Sequence, residues 1–237
     1  MARPYRVRAA FLMAILLAVV AGDDRHISAQ DASPNATPAS GCGVAPAAGT
    51  PVASPVATAA PTLLTSPERL VWAGGPHAVI LLHQINLDMR SWTPQAESLN
   101  AAGHTVVAIA RAGPRGLLLA IDDLRTSCGV TTVTVIGASI GGNIAQDALR
   151  IEPDAFDSVI LLSSVVDVPL FDVMPKLFVA SEDEGMSYDP VAQAESSAGD
   201  DNSAVIYPGT AHAQDIFATD NGADLLGQIL SWLVAHT

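Results

Sequence analysis

Short apolar runs recur along the chain from residue 70 onward: Ala78 to Leu82, Thr105 to Ala110, Thr132 to Ile136, Ser158 to Leu162, Lys176 to Ala180 and Ser203 to Tyr207. Each is rich in Val, Ile or Leu and lacks polar alternation. That pattern predicts strands buried on both faces, as in a parallel sheet covered by helices. Leu70 to Ala73 adds a short leading strand. Between the runs the spacing becomes helical over Trp92 to Ala102, Leu117 to Ser127, Ile140 to Ile151, the shorter Pro190 to Ser197, and Asp220 to Ala235. Ile140, Ile144, Ala148 and Ile151 share one helical face, and Leu225, Leu226, Ile229, Leu230 and Leu233 form the broad apolar side of the last helix. Strand-helix alternation of this kind predicts an α/β architecture, an open, mostly parallel sheet with helices on both faces. Its crossovers should be right-handed.

The first sixty residues break this pattern. Arg3, Arg6 and Arg8 precede an unbroken apolar run from Phe11 to Ala21, and Gly22-Asp23-Asp24 follows. This is the layout of a secretory signal, assigned to residues 1–30. The apolar run is shorter than the ~20 residues of a spanning helix, so stable membrane insertion is not expected. Residues 31–61 are mostly Ala, Pro, Ser, Thr, Gly and Val, without aromatic residues or periodicity. Such a stretch buries too little to offset its ordering entropy and reads as a spacer. Residues 62–237 then form one domain. The chain is expected to be exported, either secreted or associated with the cell envelope.

Net charge is −13 over 237 residues, which argues against nucleic-acid or anionic-membrane partners. The two cysteines, Cys42 and Cys128, could pair in an oxidising compartment, though spacing alone does not establish it. Neither has a second Cys or His at zinc-ligand spacing. Cys42 lies too far beyond the apolar run for lipid attachment.

Candidate chemistry centres on Val133-Thr134-Val135-Ile136-Gly137-Ala138-Ser139-Ile140-Gly141-Gly142. A buried strand enters Gly-x-Ser-x-Gly and a helix starts at once. A serine on such a turn stands clear of the backbone, its flanking glycines let strand and helix approach, and the helix N-terminus offers N–H groups to an oxyanion. A phosphate loop would call for a lysine after the glycines, and Asn143 follows instead. Serine needs a base. His212, in the loop after the last strand, sits at the same sheet edge. A carboxylate should complete the set, and Glu182, Asp183 and Glu184 follow one strand while Asp167 follows the preceding one. Backbone N–H groups of Ile140 and of Ile85, or Gln84 in its place, are the candidate oxyanion donors. His83 is expected to brace the Gln84 loop by a side-chain hydrogen bond.

The strand, His83-Gln84, a helix near Trp92, Gly-x-Ser-x-Gly-Gly, Asp183 and His212 together resemble the α/β-hydrolase family, most closely its small bacterial esterase-like and dienelactone-hydrolase-like members. The resemblance covers almost all of residues 70 to 237, including Ser91-Trp92-Thr93-Pro94 and Gly103-His104-Thr105-Val106-Val107. It selects Asp183 as the triad acid, with the alternatives above kept open. It implies an ester hydrolase acting on a small-molecule ester through an acyl-enzyme on Ser139, with Asp183, His212, Ile140 and Ile85 in support and no metal or organic cofactor. Three departures stand out. His83-Gln84 replaces His-Gly, Ala110-Arg111-Ala112-Gly113 lacks an acid that the family often carries, and Ala213 follows His212 where glycine is common. About a dozen residues separate Leu162 from Lys176, too few for a lid domain. A peptidase or amidase with the same triad, or a non-catalytic binding protein on the fold, would share these features.

Overall fold

In the computed structural model the described residues are 61–65, 67–110, 113–172, 174–184, 193 and 202–236. The signal, the spacer up to residue 60, Cys42 and most of Pro190 to Ser197 therefore lie outside them. Each of the six apolar runs forms a strand: β3 (His77–Leu82), β4 (Thr105–Ile109), β5 (Thr132–Ala138), β6 (Ser158–Leu162), β7 (Lys176–Ser181) and β8 (Asn202–Tyr207). The leading strand is β2 (Glu68–Trp72), and β1 (Thr62–Thr65) precedes it.

They pair as one sheet in the order β1-β2-β4-β3-β5-β6-β7-β8. β2 lies antiparallel to both β1 and β4, while every pairing from β4 through β3 to β8 is parallel. β3 sits between β4 and β5, so the strand order reverses there and opens a crevice at the C-terminal strand ends.

Side chains alternate across the sheet into two cores. Ile80 and Leu82 of β3, Val133 and Val135 of β5, and Leu161 of β6 face helices α2 (Gly113–Ser127) and α3 (Ile140–Ile151). Val79, Leu81, Ile136 and Ile160 face α1 (Thr93–Ala101) and α4 (Gly222–Ala235). Burial on both sides is why these strands carry no polar alternation. Pro94 sits in the first turn of α1, where its fixed φ suits a helix start. In α4, Leu225, Ile229 and Leu233 repeat every four residues and are all buried. No helix among the described residues is long and apolar enough to cross a membrane.

Candidate active site

Ser139 stands between β5 and α3 with φ 51° and ψ −113°, a conformation L side chains rarely adopt. Three non-glycine residues among those described have positive φ: Ser139, Ser163 and Ala213. All three belong to this site. The turn is held by Ser139 N–H donating to Leu162 O at 2.8 Å and by Ser164 Oγ donating to Ser139 O at 2.9 Å.

The glycines are there because backbones meet. A Cβ on Gly137 would fall 2.6 Å from Gly142 N, and one on Gly141 would fall 2.5 Å from Leu82 O. The second clash explains how the serine turn comes to lie directly against the end of β3.

His212 immediately precedes a short 3-10 helix, Ala213–Ala218. Its Nδ1 lies 2.6 Å from Glu184 Oε2, with the Glu184 side chain 5% exposed and the imidazole 27% exposed. The carboxylate beside His212 is thus Glu184, which corrects the choice of Asp183. Asp183 points to solvent, and its backbone N–H donates to Gly209 O at 2.9 Å. Glu182 is likewise exposed, and Asp167 pairs with Arg150 at 3.6 Å.

The other oxygen of Glu184 is also anchored. Its Oε1 accepts from Ser181 N–H at 2.8 Å and from Ser163 Oγ at 2.9 Å. Ser163 Oγ in turn accepts from Ala213 N–H at 2.9 Å. One hydroxyl therefore ties the acid to the residue that follows the histidine. Ser163 and Ser181 escaped the sequence reading, although each abuts a strand end at the functional edge.

The histidine loop crosses the strand ends that flank the serine turn. After β8 it runs back across the C-terminal edge of the sheet. Ala211 O accepts from Ser181 Oγ at the end of β7, at 2.7 Å. Ala213 meets Ser163 just past β6, and Gln214 meets Gln84 just past β3. β5, which ends in the Ser139 turn, lies between β6 and β3. Ser139 Oγ forms no hydrogen bond with His212 or any other described residue.

His83 is buried, and its Nδ1 lies 2.8 Å from Gln84 O, which is the bracing role expected of it. Gln84 N–H donates to the side chain of Gln214 at 2.9 Å and is therefore already engaged within the protein. Beside Ile140 lies an apolar cleft of about 10 Å³ bordered by Leu82, Ile109, Ala110, Leu117 and Ile144. No cluster of potential metal ligands occurs among the described residues.

The strand order, the serine turn between β5 and α3, and the histidine loop after β8 define the α/β-hydrolase fold, and the chain has that fold. Solved structures agree. A monoacylglycerol lipase from Paleococcus ferrophilus superposes with TM-score 0.59 at 15% identity, over 71% of this chain and 98% of that one. A dienelactone hydrolase from Anabaena variabilis gives 0.58 at 18% identity, over 71% and 91%. Est1E from Butyrivibrio proteoclasticus gives 0.58 at 15% identity, over 75% and 99%. No protein-family model matches the chain, and no curated protein matches it by sequence.

Proposed function

We propose that this chain is an exported serine hydrolase that cleaves small carboxylic esters. The observation that carries the reading is the pairing of a serine held at φ 51° on a strand-to-helix turn with a histidine whose Nδ1 lies 2.6 Å from a buried carboxylate. Glu184 accepts a hydrogen bond from Nδ1–H, so the neutral imidazole presents Nε2 as a base. Ser139 Oγ attacks the ester carbonyl carbon as His212 Nε2 takes its proton. The tetrahedral oxyanion is met by the N–H groups of Ile140 and Ile85. Collapse breaks the C–O bond to the alcohol, and His212 returns the proton to that oxygen. A water deprotonated by His212 then attacks the acyl carbon, the C–O bond to Ser139 breaks, and His212 returns the proton to Ser139 Oγ as the acid leaves. Hydrogen bonds of this kind are often long before substrate binds, so Ser139 and His212 are expected to close on each other in the complex.

Two features favour small, accessible esters. Among the described residues between β6 and β7 there is one four-residue 3-10 helix, Val168–Phe171, and the stretch is too short for a lid domain. The cleft beside Ile140 encloses only about 10 Å³, room for about one water, so it offers no deep pocket for a long acyl chain. The similarity to a lipase and a dienelactone hydrolase supports the reaction type. Export rests on the charged and apolar N-terminus, and the disulfide bond of Cys128 suits an oxidising compartment.

A series of p-nitrophenyl esters from acetyl to palmitoyl tests the proposal. Turnover should be highest for the short acyl groups, and Ser139→Ala should lower it by at least about 10³-fold with the fold retained. Wild-type activity in Ser139→Ala would refute the nucleophile.

A further inference from the structure

The loop after β3 and the loop carrying His212 are joined by a two-way amide clasp. Gln84 N–H donates to Gln214 Oε1 at 2.9 Å, and Gln214 N–H donates to Gln84 Oε1 at 2.9 Å. The two residues lie 130 positions apart in the chain, and both are buried. Their amide nitrogens are used as well. Gln84 Nε2 donates to Asp215 Oδ2 at 3.2 Å, and Gln214 Nε2 donates to Ser91 Oγ at 2.9 Å. Each glutamine thus satisfies its partner's backbone N–H while its own side chain is pinned at the far end. Buried polar groups satisfied on every side hold one arrangement and resist others.

The neighbours of the clasp give it meaning. Ile85 follows Gln84, and His212 lies two residues before Gln214. We propose that Gln84 and Gln214 are positioning residues that set the oxyanion turn and the base as one unit. This inference rests on the esterase reading. It also gives a physical account of Gln84 standing where the family it resembles has glycine, since glycine has no side chain with which to hold the histidine loop. The clasp also engages the Gln84 N–H within the protein. Displacements on the scale of 1 Å at reacting groups cost about 10²-fold in rate, so loosening the clasp should act on kcat.

The test begins with wild-type turnover of p-nitrophenyl acetate and fluorophosphonate labelling at Ser139. Absence of both sinks the esterase reading itself. Gln84→Met and Gln214→Met then remove the side-chain hydrogen bonds at nearly constant length. Each should lower kcat by about 10–100-fold with KM changed less than about threefold, and labelling should slow in parallel. The double variant should lose no more than the worse single, because one unit is broken either way. Gln214→Glu keeps an acceptor for the Gln84 N–H and should recover much of the loss. Ser91→Ala, which removes only the outer strut, serves if the Met variants do not fold, and should lower kcat about threefold or more at unchanged KM. Folded variants with wild-type kcat, or single losses that multiply in the double variant, would overturn the proposal and leave the esterase reading standing.

Discussion

A histidine whose Nδ1–H donates a hydrogen bond to a carboxylate is held in one tautomer and one orientation, and Glu184 Oε2, 2.6 Å from His212 Nδ1, is placed to do both. Replacing that carboxylate should leave the imidazole free to turn. Glu184→Gln is expected to reduce kcat by roughly 10³–10⁴-fold, whereas Asp183→Asn should stay within about twofold of wild type. The reverse ranking in steady-state kinetics would remove Glu184 from the mechanism. At this scale the sequence speaks unevenly. Ser139 is legible because a tight strand-to-helix turn imposes its own glycines. The acid is not, because Glu182, Asp183 and Glu184 are consecutive carboxylates on one turn. Which of them points inward depends on where Ser163 and Ser181 offer donors, and the Ser163 contact exists only once β6 and β7 lie side by side. Ala213 adds a cost of its own. It holds φ 51°, where an L residue gives up roughly 1–3 kcal/mol, and glycine would not. That strain explains why glycine is common after the histidine in the family the chain resembles, and the Ser163 hydrogen bond to Ala213 N–H helps to hold it here.

At the scale of elements, six strands and four helices follow from apolar period alone, because burial on two faces leaves no polar alternation to misread. β1 was not legible. Thr62-Leu63-Leu64-Thr65 is too short to show a period, and its strand form depends on pairing with β2. The antiparallel course of β2 is likewise a property of the sheet rather than of its residues. The end of the sheet opposite the site carries a pair of histidines. His77, the first residue of β3, meets His104 edge-on at 4.8 Å, and its Nε2 lies 2.8 Å from Thr134 Oγ1. Burial, then the nearby His104, push the His77 pKa down to about 4, against a smaller upward pull from Asp157. Burial also lowers that of His104. The unfolded chain therefore binds a proton that folded His77 refuses between pH 6.5 and about 4. The stability held by neutral His77 is complete above that window and is lost as pH falls through it. Urea denaturation across the window should show this decline, and His77→Gln should shallow it. An unchanged slope in His77→Gln would contradict the assignment.

Across the whole molecule, the rule that loops after parallel strands share one edge is enough to anticipate that Ser139 and His212 gather there. What it does not reveal is the return path of the histidine loop over β7 and β6 to β3, which depends on Ser181, Ser163 and Gln84 as stepping points. Cys128, just past α2, is disulfide-bonded, and Cys42 is the only other cysteine in the sequence. The unreduced, denatured protein should therefore titrate with no free thiol, and Cys128→Ser should cost about 2–5 kcal/mol in unfolding free energy. Two free thiols in the native preparation would contradict the bond. The proposed hydrolysis depends on one event, the activation of Ser139 by the histidine held beside Glu184. Reaction with a fluorophosphonate followed by peptide mass mapping reads that event directly. The expected result is one adduct, on Ser139, formed rapidly by the wild type, lost in Ser139→Ala and strongly slowed in Glu184→Gln; an unlabelled wild type, or an adduct on any other residue, would contradict it.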